Sequence, residues 1–176
     1  MKFSELTRQR EIGVLAPIEN NLGLQDADLS DPQYDSRKIT TGSTFVAIKG
    51  FATDGHSFIS QAIERGATTI VIDNAEAFSE ADAKAKNVDR ILVTNSRKAL
   101  AVISEEVFGS PSMKLRLIGV TGTNGKTTTT NLIKQLLESR GEKCGLIGTI
   151  GIYFGSEFMP ASHTTPESRD LSELLS

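Results

Sequence analysis

The sequence predicts an α/β protein in which a small N-terminal α/β domain precedes the first part of a second α/β domain. Short β-prone runs alternate with stretches of helical apolar spacing, which favours parallel strands with helices on the faces of the sheet. The same alternation starts again, with stronger signals, around a glycine-rich segment in the second half of the chain. We therefore place the two domains at residues 1–94 and 95–176.

The first domain is predicted from apolar spacing and from the residues that stop each element. Apolar residues at helical spacing before Gly66 indicate a helix, and a continuous β-branched run at residues 69–72 indicates a fully buried strand. The predicted elements are a strand at 43–48, a helix at 57–65, a strand at 69–72, an exposed helix or solvated connection at 75–87, and a strand at 91–93.

The second domain is predicted in the same way, and Asn95 or Ser96 can cap its first helix. The predicted elements are a helix from this cap to about Phe108, a strand at 115–120, a helix at 127–140, a strand at 145–148, a hairpin at 150–159 that turns near 155–156, and a helix opened by Pro166. A parallel sheet of only two or three strands has exposed edges, so we expect the chain to be a fragment of a longer protein.

Composition excludes several classes of function. The net charge is -3, whereas a nucleic-acid-binding protein normally carries a basic excess. The N-terminus lacks the apolar core of a signal peptide, and no apolar run approaches the roughly 20 residues that span a bilayer. The single cysteine, Cys144, fits a reducing compartment. We expect a cytoplasmic protein without nucleic-acid partners or membrane insertion.

Residues 119–128 read Gly-Val-Thr-Gly-Thr-Asn-Gly-Lys-Thr-Thr, between a β-prone run and a helix. Glycines allow backbone amides to turn towards phosphate oxygens, and the start of the helix adds the positive end of its dipole. In such a loop the lysine reaches the β- and γ-phosphates and the following hydroxyl ligates magnesium. The predicted ATP- and Mg²⁺-binding residues are Gly122, Thr123, Asn124, Gly125, Lys126, Thr127 and Thr128, with Lys126 and Thr127 as catalytic residues and Thr127 as the metal ligand.

The loop departs from the strict phosphate-loop pattern at one position. Val120 stands where that pattern has its first glycine, so only four fixed positions match. Average residue usage puts a chance match of these four positions in a chain of this length at under about one per cent. The alternative, an ordinary turn between a strand and a helix, is therefore disfavoured.

The loop resembles the ATP-binding loop of the Mur ligases, whose version also lacks the early glycine. Two further segments are similar to the MurE type of this family. The first is Asp35-Ser36-Arg37 with the downstream Asp54-Gly55-His56, in the uridine-nucleotide-binding domain, and the second is His163-Thr164-Thr165-Pro166. Taken alone, each would be read as a polar turn, a helix cap or a helix entry. The resemblance runs from about Tyr34 to the C-terminus.

The resemblance implies a substrate site in three parts. One part lines the uridine nucleotide, one forms a loop beside it, and one meets the muramoyl-dipeptide end. The family often has Asn where this chain has His163, and backbone contacts are expected in the loop. The residues are Tyr34 and Ser36 for the uridine nucleotide, Phe51, Ala52 and Thr53 for the loop beside it, and His163, Thr164 and Thr165 for the muramoyl-dipeptide end.

The implied reaction is the ATP-dependent addition of a diamino acid, meso-diaminopimelate or L-lysine, to UDP-N-acetylmuramoyl-L-alanyl-D-glutamate during peptidoglycan synthesis. A carboxylate attacks the γ-phosphate, and the incoming amine then displaces phosphate from the acyl phosphate. The family's acidic magnesium ligand, carbamylated lysine and amino-acid-binding domain would lie beyond Ser176. We therefore expect this chain alone to be inactive, and we expect a monomer.

Two alternatives remain open at the level of sequence. One is another phosphate-loop protein, such as a kinase or a switch ATPase, which should not carry the upstream segment around Asp35. The other is a non-catalytic nucleotide-binding module, for which we would expect a stable 176-residue fold with measurable ATP affinity.

Overall fold

A computed structural model of the chain describes residues 19–20, 27–50, 53–155, 157–160 and 166–176. It divides into two compact units, one formed by Met1–Lys114 with Ser168–Ser176 and the other by Leu115–Glu167. None of the helices in the described part is long and apolar enough to cross a membrane. The mixed α/β class predicted from the sequence is confirmed.

The first unit is built on a five-stranded sheet with the order β1-β5-β4-β3-β2. Strands β2 to β5 run parallel and follow one another in space as they do in sequence, whereas β1 pairs antiparallel with β5. The strands are β1 Glu19–Asn20, β2 Pro32–Gln33, β3 Thr44–Val46, β4 Thr69–Ile72 and β5 Asp89–Leu92. All four residues of β4 are buried, as predicted for 69–72.

Helices cover both faces of this sheet because successive strand residues point to opposite faces. One core cluster joins Phe45 and Ile70 to α1 and α2, and the other joins Val46 and Val71 to α3. The helices are α1 Ile59–Glu64, α2 Glu80–Lys86 and α3 Ser96–Val107, and short 3-10 helices lie at Ser36–Lys38, Gly55–Phe58, Ala75–Ala77 and Pro111–Lys114. The result is a three-layer unit with the carboxyl ends of the parallel strands at one edge.

Helix α3 begins where the sequence predicts, but it lies in a different unit. The Asn95 side chain accepts a hydrogen bond from Lys98 N at 2.9 Å, so Asn95 is the cap. We predicted that this helix opens the second domain, yet its buried face, which includes Leu100 and Ile103, packs in the core cluster that contains Val46 and Val71. The compact units therefore change between Lys114 and Leu115 rather than near Asn95.

The first unit also contains the last helix of the chain, α5 Ser168–Leu175. Most of its contacts are with α3 and with the 3-10 helix Pro111–Lys114. Arg169 is buried, donates to the Pro32 carbonyl at 3.2 Å, and lies over the Phe108 ring at 5.4 Å from the centroid. This helix, which we predicted as part of the second domain, is thus attached to the strand that precedes Tyr34.

The second unit differs from the prediction in two respects. Its described strands are β6 Gly145–Ile147, β7 Gly151–Phe154 and β8 Glu157–Pro160. The hairpin predicted at 150–159 is present as β7 and β8, whereas β6, which we predicted in a parallel sheet, pairs antiparallel with β7. Residues 115–120, predicted as a strand, form none, and Leu117 and Ile118 are exposed. A strand needs a hydrogen-bonded neighbour, and none is present for this segment among the described residues. The helix predicted at 127–140 is present as α4 Lys126–Ser139.

Asp31 should make the stability of the first unit depend on pH. Burial raises the pKa of its carboxyl, but hydrogen bonds from Ser43 and Gln33 and the charge of Arg169 offset this, so the pKa lies below its ordinary 3.8. Because the folded-state pKa is depressed, the stabilisation is present above pH 3.8 and is lost as pH falls through the folded-state pKa. Urea unfolding should show Asp31→Asn less stable than wild type at pH 7, with a smaller difference at pH 3. An equal difference at both values would contradict this.

Candidate functional site

The glycine-rich loop has the geometry of an anion-binding turn. Gly125 has φ 77° and Gly122 has φ 152°, conformations that favour glycine. Gly125 is the N-cap residue of α4, and no side chain caps this helix start. The first amides of a helix have no partner within the helix, so those at the start of α4 are available to an anion. Residues 121–125 are exposed, which leaves the approach open.

Lys126 is the first residue of α4, and its side chain folds back over the loop. Its ammonium donates to the carbonyl of Gly122 at 2.5 Å and to that of Thr123 at 3.3 Å. These bonds hold a positive charge directly above the loop. A phosphate bound by the loop amides would therefore meet the ammonium without a large movement of the side chain.

A cavity of about 280 Å³ lies beside the loop, between the first turns of α4 and strands β6 and β7. Lys126 and Thr127 contribute to its wall from α4, and Thr149 contributes from the turn between β6 and β7. Asn131 is fixed there because its amide donates to the Thr127 carbonyl at 2.8 Å. The cavity is at the small end of the range for ligand pockets.

Metal binding in this region would rest on few protein ligands. No group of three or more His, Cys, Asp and Glu side chains able to hold a metal occurs in the part of the chain that the structure describes. The predicted metal ligand, Thr127, is exposed at the start of α4. A magnesium ion here would take most of its ligands from phosphate oxygens and water, as is usual for this ion.

Three predicted substrate residues of the first unit share one edge of its sheet. Tyr34 and Ser36 follow β2, and Thr53 follows β3. Because these strands are parallel, their carboxyl ends lie together, which is where open α/β sheets bind ligands. Gly50 N donates to Thr53 O at 2.9 Å, which ties Thr53 to the strand side of the loop.

The side chains of Tyr34 and Ser36 are already engaged within the protein. The Tyr34 ring packs against the core cluster that contains α3, and its hydroxyl donates to Asp170 Oδ2 at 2.5 Å. The Ser36 hydroxyl is buried and donates to Gln61 Oε1 at 2.6 Å. Asp170 and Gln61 were missed by sequence reasoning because they lie 136 and 25 residues away in the chain.

Asp35-Ser36-Arg37 is a capped turn in which the side chains of Asp35 and Arg37 pair with each other and that of Ser36 points inward. The Asp35 carboxylate accepts from Arg37 N and from both Nε and Nη2 of Arg37, at 2.8–3.2 Å. These hydrogen bonds with Arg37 lower the pKa of Asp35. Ser36 is thereby turned inward, while the Arg37 side chain is 80% exposed at the same edge.

Several predicted site residues cannot be compared with the structure. Phe51, Ala52, His163, Thr164 and Thr165 lie outside the described residues. The predicted nucleotide loop and the predicted uridine residues belong to separate compact units. Their roles in binding therefore stay predictions.

Two family descriptions match separate parts of the chain. The Mur ligase family catalytic domain matches residues 33–107, and the Mur ligase middle domain matches residues 120–176. The gap between the two matches contains the change of compact unit at Lys114.

Curated relatives with similar sequences carry one name. The chain is 46% identical over 175 residues to the UDP-N-acetylmuramoyl-L-alanyl-D-glutamate--2,6-diaminopimelate ligase of Clostridium tetani, covering 99% of this chain and 34% of the relative. It is 46% identical over 141 residues to the enzyme of that name from Geobacillus thermodenitrificans, covering 80% and 27%. The chain thus spans about a third of the length of the curated relatives that it matches.

Solved structures support the fold. A structure of a UDP-N-acetylmuramoyl-L-alanyl-D-glutamate--2,6-diaminopimelate ligase aligns with 99% of this chain and 32% of its own, at TM-score 0.70 and 24% identity. A MurF structure from Acinetobacter baumannii covers 85% of this chain and 28% of its own, at TM-score 0.50 and 21% identity. At these identities the likeness concerns the fold alone.

Proposed function

Because the chain belongs to the Mur ligase family, we propose that it is the uridine- and ATP-binding part of an enzyme that adds a diamino acid to UDP-N-acetylmuramoyl-L-alanyl-D-glutamate. The observation that carries the proposal is the uncapped start of α4, where Lys126 lies over a glycine loop. The name that these relatives share favours diaminopimelate as the added amino acid. We also propose that the reaction takes place in the cytoplasm, as a step of peptidoglycan synthesis.

The loop residues fit a magnesium-bound triphosphate. The amides at the start of α4 would hold the phosphates in line. The Lys126 ammonium would give up its hydrogen bonds to the carbonyls of Gly122 and Thr123 and would then neutralise charge on the transferring phosphoryl group. The Thr127 hydroxyl would hold the metal, which polarises the γ-phosphate. Such a reaction needs positioning and charge neutralisation more than covalent participation by the protein.

The first unit would hold the uridine nucleotide at the carboxyl edge of its sheet. The hydroxyl groups of Tyr34 and Ser36 are bonded to Asp170 and Gln61, so their backbone groups would make the contacts. Thr53 is exposed and would meet the ligand from the neighbouring strand. The peptide end of the substrate would reach residues 163–165, as the family resemblance implies.

Calorimetry with two nucleotides tests the first-unit assignment. We expect this chain to bind UDP-N-acetylmuramoyl-L-alanyl-D-glutamate at least about tenfold more tightly than the cytidine analogue, because a site built for one base leaves polar groups unpaired with another. The cytidine analogue is the matched control, since it keeps the sugar, diphosphate and peptide. Equal affinity for the two would contradict uridine recognition, and binding of neither would contradict the assignment of this unit.

A further inference from the structure

His56 lies between two carboxylates at the carboxyl edge of the first unit's sheet. Its Nδ1 is 2.7 Å from Asp54 Oδ1, and its Nε2 is 3.3 Å from Asp73 Oδ1. The side chain is only 8% exposed. Nε2 is buried and makes no hydrogen bond within the described residues, and its charged neighbour there is Asp73, with which it forms an ion pair when the imidazole is protonated.

The three residues come from different parts of the edge. Asp54 precedes a 3-10 helix and accepts from His56 N at 3.0 Å, and it lies directly after Thr53. Asp73 follows β4 and accepts from Ser96 N, at the start of α3, at 3.0 Å. The imidazole therefore joins the segment that follows β3 to the end of β4 and to α3.

The backbone is shaped to bring His56 to this position. Gly55 N donates to Ile48 O at 3.0 Å, and a Cβ at Gly55 would lie 2.6 Å from that oxygen. Only glycine permits this approach. A second link runs from α3 to the same segment, because Arg97 Nη2 donates to the Lys49 carbonyl at 3.0 Å.

These hydrogen bonds and ion pairs involve residues at the carboxyl edge of the sheet that are not packed in the hydrophobic core. Thr53 is exposed, and the Asp54 side chain is 47% exposed. Burying an imidazole between carboxylates is a costly way to stabilise a fold, since apolar residues of similar volume often do as well. A buried polar contact of this kind can instead specify one conformation.

We infer that His56 is a positioning residue. By bridging Asp54 to Asp73, it holds Thr53 and Asp54 in the orientation that meets the uridine nucleotide. The inference rests on the proposed function for its ligand. The bridge itself does not depend on that function and can be tested without ligand.

A double-mutant cycle on UDP affinity tests the bridge. The variants are His56→Gln, Asp73→Asn and their combination, measured by calorimetry on the 176-residue chain with UDP as the probe. Asn at position 73 keeps an acceptor for Ser96 N while it loses the charge that faces His56. We expect each single variant to lose about 5- to 10-fold in affinity for UDP. The double variant should lose no more than the single variant that binds UDP more weakly, because both substitutions break the same link.

Three further measurements separate this role from a general loss of fold. Glu76→Gln, which removes an exposed carboxylate elsewhere in the unit, should leave UDP affinity unchanged. The urea midpoint of Asp73→Asn should match that of Glu76→Gln. Amide exchange at Gly50 and Gly55, measured without ligand, should be faster in His56→Gln than in wild type, because these amides bond within the positioned segment.

Each result is decisive. Wild-type affinity in both single variants, or losses that add in the combination, would overturn the positioning role. If wild type bound no UDP, the proposed function would fail, and amide exchange would still decide the bridge: unchanged exchange at Gly50 and Gly55 would overturn it. If His56→Gln failed to fold, a reduced UDP affinity in folded Asp73→Asn would support the bridge, and an unchanged one would overturn it.

Discussion

Replacing Lys126 with alanine is expected to lower the affinity for Mg-ATP by about 100-fold or more. The ammonium would make charge-assisted hydrogen bonds to phosphate oxygens, each of about 1.5–3 kcal/mol, and about 1.4 kcal/mol corresponds to a tenfold change in affinity. The side chain already lies over the loop, on the carbonyls of Gly122 and Thr123, so little ordering of the side chain opposes these bonds.

Calorimetry on wild type and Lys126→Ala, titrated with Mg-ATP, measures this loss. Lys143→Ala is the matched control, since it removes an exposed lysine from the same unit without touching the loop. We expect the control to bind as wild type does. Similar affinities for wild type and Lys126→Ala would show that the loop does not hold phosphates through its lysine, and no binding by wild type would contradict the nucleotide site itself.

Replacing Arg169 with alanine is expected to destabilise the docking of α5 on the first unit by about 3 kcal/mol. Removing one partner of a buried ion pair costs about 3–5 kcal/mol, and the lower end applies because Asp31 and Glu173 are partly exposed. The variant leaves the Pro32 carbonyl without this donor and removes the guanidinium from the Phe108 ring.

Urea unfolding and hydrogen exchange in α5 measure this effect. Arg37→Ala is the matched control, because it breaks a pair with Asp35 in which the Arg37 side chain is exposed, and exposed pairs contribute little to stability. Arg169→Lys should not restore stability, since an ammonium cannot reproduce the planar fork and the ring contact together. A urea midpoint for Arg169→Ala equal to that of Arg37→Ala would contradict the prediction.

Elements with local signals were predicted correctly. Asn95 caps α3, the β-branched run at residues 69–72 is a buried strand, and the helix after the glycine loop begins at Lys126. Each depends on residues within a few positions of one another. Propensity, capping and apolar spacing are short-range properties, and so the sequence carries them directly.

Elements whose partners are distant were predicted wrongly. Residues 115–120 have the composition of a strand but lack a described neighbour to pair with, and β6 pairs antiparallel with β7 rather than parallel with these residues. Helix α3 was assigned to the second domain, whereas its apolar face packs in the core of the first unit. A β-prone or amphipathic segment does not specify which surface it will meet, because strand pairing and helix docking depend on the rest of the fold.

The sequence by itself determined the α/β class, the helix that begins at Lys126 after the glycine-rich loop, and the family to which the chain is similar, because each rests on residue types at short fixed spacings. Only the tertiary structure decided that Tyr34 bonds to Asp170, that Arg169 holds the last helix on the first unit, and that His56 joins Asp54 to Asp73. The physical reason is that hydrogen bonds and ion pairs form between groups that the folded backbone brings within about 3–4 Å, whatever their separation along the chain.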